Sequence, residues 1–165
     1  MNKTEIIQKL NLTQHIEGGY FAETHRSLQE MRTQRDGEKR SVLTSIFYLL
    51  TDDSPIDYFH KNKSDIVHYF HTGWSITYLI LHPNGRLEKQ KLGSNLAAGE
   101  VLQLVVKGGC WKTAILEEGE YGLLGESVSP GFDFRDMQIA DESLLYEFPH
   151  LQAEIKPYIQ PSYVV

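Results

Sequence analysis

Residues 74–92 read WSITYLILHPNGRLEKQKL. The part from Trp74 to His82 is rich in β-branched and aromatic residues, a composition typical of strands. Pro83-Asn84-Gly85 is a turn sequence, and a second strand candidate, Arg86–Leu92, follows it. The stretch therefore predicts two strands that are joined by a turn.

The same pattern continues on both sides of these two strands. From residue 41 to residue 128, segments with a period of two alternate with turns that contain glycine or proline, at a spacing of about 8–12 residues. Strands and helices do not alternate, which argues against a parallel α/β sheet. We therefore predict an all-β antiparallel sandwich or barrel, with strands at Val42–Leu50, Ile66–Phe70, Ile76–Leu81, Leu102–Val106, Lys112–Leu116 and Tyr121–Val128.

Short helices are predicted at both ends of the chain. Thr4 is the expected N-cap of the first helix. The second is expected at Asp141–Phe148, capped by Asp141 and followed by a proline. Residues 31–40 are polar and predict an exposed loop or the tip of a hairpin.

Length and composition indicate one domain, residues 1–165, with a real core, because 41% of the residues are hydrophobic. The net charge of −6 argues against nucleic-acid or membrane partners, since the chain has no obvious basic patch that either could contact. The single cysteine, Cys110, excludes an internal disulfide and favours a reducing compartment. We expect no leader, and no apolar run reaches about 20 residues. We expect a cytoplasmic protein.

Four stretches, taken in order, carry a resemblance to a known family. HIEGGYFAETHRS occupies residues 15–27, and Phe59-His60 precedes Lys63-Ser64-Asp65. QLVVKGGCWK follows at residues 103–112, and VSPGFDF at residues 128–134. Together they resemble the cupin-5 family, a branch of the RmlC-like cupin superfamily and a domain of unknown function, from about Leu10 to Phe148.

The resemblance implies a double-stranded β-helix, the cupin jelly roll, with short N- and C-terminal helices. It also implies a homodimer, which the unpaired edges of a sandwich of short strands favour independently. We expect the segment Tyr20–Thr24 to lie near the seam between the two copies.

The general cupin signature places metal ligands on this frame. Aligned with it, the four ligand positions fall on His60, Asn62, Ile66 and Lys112, and only His60 keeps a ligand type. An apolar side chain and an ammonium do not bind Zn²⁺, Fe²⁺ or Mn²⁺. We therefore predict no metal and no cofactor, unless other histidines compensate.

His68 is the histidine that could compensate. Side chains alternate along a strand, so Ile66, His68 and Phe70 share a face, and His68 enters the barrel if Ile66 does. His60, His68 and Lys112 are then expected to meet in one cavity, with both imidazoles mostly neutral at pH 7. The alternative is a hydrogen-bonded core histidine.

The candidate catalytic residues are His60, His68, Glu23 and Lys112. Glu23 lies in the most family-like segment and could orient a histidine, or it could form a salt bridge to Arg26. Lys112 suggests an anionic or carbonyl-bearing guest, or it is a lysine extending from a strand edge. The candidate ligand-binding residues are Asn62, Gln103, Trp111 and Phe70, although Trp111 fits a core position equally well.

Three functions remain open at this point. The first is a metal-independent isomerase or epimerase that acts on a small polar or sugar-like molecule, with His60 or His68 as the base. The second is a non-catalytic module that binds or senses a metabolite. The third is a metal enzyme with a non-standard ligand set of His60, His68 and Glu23.

Overall fold

A computed structural model describes residues 1–161, and within them the chain is built mainly from antiparallel strands. The helices are α1 (Lys3–Lys9), α2 (Ser143–Glu147) and α3 (Gln152–Ile155). The strands are β1 (Thr13–Gln14), β2 (Tyr20–Arg26), β3 (Glu30–Arg32), β4 (Lys39–Ser41), β5 (Thr44–Thr51), β6 (Ile56–Asn62), β7 (Asp65–Gly73), β8 (Ile76–Leu81), β9 (Leu87–Leu92), β10 (Gln103–Val106), β11 (Trp111–Ile115), β12 (Tyr121–Ser129) and β13 (Met137–Ile139).

Two sheets form the walls of the barrel. The first sheet has the order β1-β2-β5-β12-β7-β10, and the second has the order β13-β6-β11-β8-β9. Their inner faces share one apolar cluster, to which the first sheet contributes Tyr48 and Leu124 and the second contributes Ile76 and Tyr78. The prediction of an all-β antiparallel barrel is confirmed.

The helices cover the outer faces of the barrel. Ile6 of α1 packs against Leu49 and Leu123 on the outside of the first sheet. Leu144 of α2 and Ile155 of α3 pack on the outside of the second sheet. No helix among residues 1–161 is both long enough and apolar enough to cross a membrane.

The predicted strands agree with the observed ones to within a few residues, and Ile76–Leu81 has the predicted bounds. The segment at residues 31–40 forms most of the two-stranded sheet of β3 and β4. The last four residues of the predicted domain lie outside the described residues.

The cap of the first helix is corrected by the structure. Asn2, not Thr4, is the N-cap of α1, because the Asn2 side chain accepts the backbone N–H of Glu5 and the Glu5 carboxylate accepts that of Asn2. The second helix is shorter than predicted, since α2 begins at Ser143. The Asp141 carboxylate still accepts the backbone N–H of Ser143 just before it.

Candidate active site in the barrel

The barrel encloses a cavity of about 300 Å³ that is buried at one end and exposed at the other. We call the buried polar group at one end the floor; it consists of Glu17, Asp57, His60 and Glu126. We call the exposed end the rim. The rim consists of Glu23, Arg26, Phe132, Asp133 and Phe134.

The walls between floor and rim are largely apolar. Phe21, Ile46, Tyr48, Ile66 and Val128 line them. A cavity with apolar walls and a few convergent polar groups is the usual form of a small-molecule site.

A bulge in β6 brings two polar side chains onto the floor. In the pairing of β6 with β11, His60 lies opposite Lys112 and Asp57 lies opposite Ala114. Two residues separate Asp57 from His60, but only one separates Lys112 from Ala114, so β6 contains one extra residue there. Residues three apart would otherwise face opposite sides of a strand, and the extra residue turns both into the cavity.

Glu17 reaches the floor from the loop between β1 and β2. The backbone N–H of Tyr58 donates to the Glu17 carbonyl at 2.8 Å, and the Tyr48 hydroxyl donates to the Gly18 carbonyl at 2.5 Å. Gly18 has φ +108°, in the region that favours glycine. These contacts fix the loop so that the Glu17 side chain is only 6% exposed.

His60 has one nitrogen fixed and the other free to accept a proton. Its Nδ1–H donates to the Tyr58 carbonyl at 2.8 Å, which leaves Nε2 as the unprotonated nitrogen of the neutral ring. Nε2 faces Oε2 of Glu17 at 3.5 Å. Burial, and next the Lys112 ammonium, lower the pKa of His60 to about 3, so the ring is neutral at pH 7.

Two carboxyl groups of the floor hold their protons more tightly than usual. Burial raises the pKa of Asp57 to about 8, although Lys112 opposes this. Burial and repulsion from Asp57 raise the pKa of Glu17 well above its ordinary value. Glu17 therefore holds a proton more tightly than an ordinary glutamate, beside Nε2 of His60.

Lys112 and His68 lie behind the cavity and form a buried group with Glu126 of the floor. Nζ of Lys112 lies 2.8 Å from Nε2 of His68 and 3.2 Å from Oε1 of Glu126. Because Lys112 belongs to the second sheet and the other two to the first, the group joins the two sheets. Burial raises the pKa of Glu126, but the Lys112 ammonium outweighs burial, and the pKa of Glu126 falls to about 2. Lys112 and Glu126 are an ion pair.

His68 does enter the barrel, as the strand alternation predicts, and it is fully buried. Its Nδ1–H donates to the Leu104 carbonyl at 3.1 Å, and its Nε2 accepts from Lys112. Both nitrogens are thus used within the protein. The structure therefore gives His68 the hydrogen-bonded core position, and His68 and Lys112 do not line the cavity.

The structure separates the remaining predicted residues. Asn62 lines the cavity, whereas Glu23 lies at the rim and its carboxylate is bound by Arg26 at 2.7 and 2.9 Å, not by a histidine. Trp111 packs in the apolar cluster under α2, because it is adjacent to the inward-facing Lys112 and so points outward. Phe70 packs against the inner apolar cluster without lining the cavity, and Gln103 is exposed.

Three floor residues were missed by the sequence analysis. Glu17 stood inside the quoted HIEGGYF motif, but a loop residue gives no periodic signal. The bulge concealed Asp57. Glu126 could have been found, because it shares the inner face of β12 with Leu124 and Val128 and lies directly opposite His68.

The usual cupin metal does not fit this chain. Two of its four ligand positions hold the apolar Ile66 and the ammonium of Lys112, which is already paired. A different set, Glu17, Asp57 and His60, offers ligand atoms that all lie within 4.8 Å of one another. These three residues are the ones in the described part of the chain that could hold a cation.

Comparison with known proteins relates this chain to uncharacterised relatives. It is 40% identical to the uncharacterised protein YML079W of Saccharomyces cerevisiae over 145 residues, which cover 80% of this chain and 72% of the yeast protein. Protein SO0799 of Shewanella oneidensis is 33% identical, with a TM-score of 0.90, over 98% of this chain and 99% of that one. A hypothetical protein from Leishmania major is 28% identical, with a TM-score of 0.89, over 96% and 98% of the two chains.

More distant structures share the fold alone. A cupin 2 conserved barrel domain protein from Rhodopseudomonas palustris is 10% identical over 89% of this chain and 84% of that one, with a TM-score of 0.57. The family model Cupin_5, described as "Cupin superfamily (DUF985)", matches residues 4–140, most of the chain. With this match over the barrel described above, the protein belongs to the Cupin_5 family (DUF985) of the cupin superfamily.

Proposed function

We propose that the barrel binds a small polar or sugar-like molecule and catalyses a metal-independent proton transfer of the isomerase or epimerase kind. The observation that carries this proposal is the pairing of Nε2 of His60 with Oε2 of Glu17, 3.5 Å apart on the floor of a cavity. An unprotonated imidazole beside a neutral carboxylic acid is an arrangement suited to general acid–base catalysis.

The chemistry assigned to the pair balances. Nε2 of His60 takes a proton from a carbon next to a carbonyl, and the electron pair of that C–H bond moves to the carbonyl oxygen. Glu17 gives its proton to that oxygen. Return of a proton to carbon, to a different position or to the opposite face, completes an isomerisation or an epimerisation and restores both groups.

Relative to the sequence hypothesis, the roles change. His60 remains the base, because the lone pair of His68 is occupied by Lys112. Glu17 replaces Glu23 as the carboxyl partner, because Glu23 is bound by Arg26. Lys112 does not contact the guest in this proposal; its ammonium compensates the charge of Glu126 on the floor.

Exchange of hydrogen with solvent tests the proposal without knowledge of the substrate. The protein is incubated in D₂O with a pooled low-molecular-weight metabolite extract, and mass spectrometry follows compounds that gain one deuterium at carbon. The wild-type protein is expected to label at least one compound, and His60→Gln to reduce its labelling rate at least about 100-fold. His25→Gln, the same substitution at an exposed histidine, is expected to leave the rate unchanged. No labelling by wild-type protein, or undiminished labelling by His60→Gln, would contradict the proposal.

One observation favours the non-catalytic alternative. A pKa of about 3 makes His60 a weak base at neutral pH, whereas a binding module needs only shape and hydrogen bonds. A ligand that is retained by the barrel and never labelled in D₂O identifies this case.

The expected homodimer, the cytoplasmic location and the absence of nucleic-acid and membrane partners stay predictions from the sequence.

A further inference from the structure

The floor of the cavity has hydrogen-bond acceptors without partners. Oε1 of Glu17 and Oδ1 of Asp57 are buried, and neither has a hydrogen-bond partner among the described residues. Nε2 of His60 carries a lone pair, because the hydrogen of the ring is on Nδ1. Leaving a buried polar atom unpaired costs about 1–3 kcal/mol, so a guest that supplies hydrogens to these atoms gains that energy.

Most donors around these acceptors are already used. The Tyr48 hydroxyl donates to the Gly18 carbonyl, and Lys112 donates to His68 and Glu126. Donors that remain in the lining include the Asn62 amide and the Nε2–H of His15, whose Nδ1 accepts the backbone N–H of Glu17. Neither donates to Oε1 of Glu17 or Oδ1 of Asp57, so a guest can supply the hydrogens for these two atoms.

The floor also has more acidic groups than cations. Of its three carboxyl groups, Glu126 is compensated by Lys112. Among the described residues, the groups within salt-bridge distance of Glu17 or Asp57 are the imidazole rings of His15 and His60, and no lysine or arginine is among them. Burial raises the pKa of both groups, because it penalises their charged forms. A cationic guest would compensate these two carboxyl groups, whereas an anionic guest meets the same groups and no free ammonium.

We propose that the cavity takes an organic ammonium compound, with its nitrogen on the floor between Glu17 and Asp57. The inference rests on the proposed function only in using the same cavity. It replaces the anionic guest expected from Lys112, whose ammonium is already bound. The body of the guest lies against the apolar walls, which Phe21, Ile46 and Val128 provide.

The dimensions agree with such a guest. Hydrogen bonds of about 2.8 Å at tetrahedral angles place two acceptors of one ammonium about 4.6 Å apart. The ligand atoms of Glu17, Asp57 and His60 lie within 4.8 Å of one another. A bare divalent cation would also suit these atoms, but it would not use a cavity of about 300 Å³ with apolar walls. The cavity therefore favours the organic cation.

Three sugars that share one ring and differ in charge test the proposal: D-glucosamine, D-glucose and D-glucuronate. Binding is followed by ligand-observed NMR with the full-length protein at pH 7. Glucosamine is expected to bind at least tenfold more tightly than glucose, and glucuronate more weakly than glucose. Glu17→Gln/Asp57→Asn is expected to remove the preference for glucosamine, whereas Glu118→Gln, at an exposed position, is expected to keep it.

Several outcomes overturn the proposal. These are tightest binding of glucuronate, equal binding of all three sugars, no detectable binding of glucosamine, or a preference that survives Glu17→Gln/Asp57→Asn. Stoichiometric binding of Zn²⁺ or Mn²⁺ alone that glucosamine does not weaken would likewise assign the floor to a metal. Because the assay measures binding, it can succeed when the D₂O experiment fails, and the two proposals fail separately.

Discussion

Replacement of Lys112 by methionine is expected to lower the free energy of unfolding by about 3–5 kcal/mol, because it leaves the buried carboxylate of Glu126 without its cation. The Lys112 ammonium also donates to His68, so the same change leaves a second buried atom unpaired. Since Lys112 joins the two sheets, the loss affects the whole barrel. Chemical denaturation at pH 7 measures the effect.

Two further variants distinguish the loss of the buried ion pair from the loss of a lysine charge at any position. Lys107→Met removes an exposed lysine that is paired with Asp65, and it is expected to cost less than about 1 kcal/mol. Lys112→Met/Glu126→Leu removes both charges and is expected to recover a large part of the loss. Equal costs for Lys112→Met and Lys107→Met would show that the buried pair has no special role.

Replacement of Gly18 by alanine is expected to destabilise the protein by about 3 kcal/mol or more. A Cβ at Gly18 would lie 2.0 Å from the carbonyl oxygen of Ile56, and φ is +108°. The backbone must therefore move, and Glu17, the preceding residue, moves with it. Thermal unfolding measures the stability, and glucosamine binding reports the displacement of Glu17.

Gly109→Ala is the matched control for this change. Gly109 also has a positive φ, +88°, but a Cβ at this position would have no described atom within 4 Å beyond its own chain neighbours. Its substitution carries the backbone strain without the clash and is expected to cost about 1 kcal/mol. Similar losses for the two variants would mean that strain alone matters at Gly18 and that the loop is not held as described.

Much of the fold could be predicted from the sequence, because period-two alternation survives wherever a strand is regular. Ile76–Leu81 is predicted with the bounds it has in the structure. β6 was not predicted, because its polar residues at positions 57 and 60 and its bulge break that period. The feature that makes β6 useful to the site is therefore the feature that hides it from pattern analysis.

The site was predictable in part, for a related reason. Alternation placed His68 inside the barrel, and the cupin alignment placed Lys112 there. Neither alternation nor alignment could show that His68 and Lys112 bind each other. Lys112 extends from the second sheet to meet Glu126 and His68 on the first. Pairing across the barrel decides which charges remain free, and sequence spacing does not record it.

The state of the His60 ring tests the central claim most directly. Long-range ¹H–¹⁵N NMR of the imidazoles, assigned with His60→Gln, reads the tautomer and the pKa together. Burial and the Lys112 ammonium predict a neutral ring protonated at Nδ1, with a pKa of about 3 and no titration between pH 8 and pH 5. A ring that titrates near 6.5, or that carries its hydrogen on Nε2, would contradict the account, because no lone pair would then face Glu17.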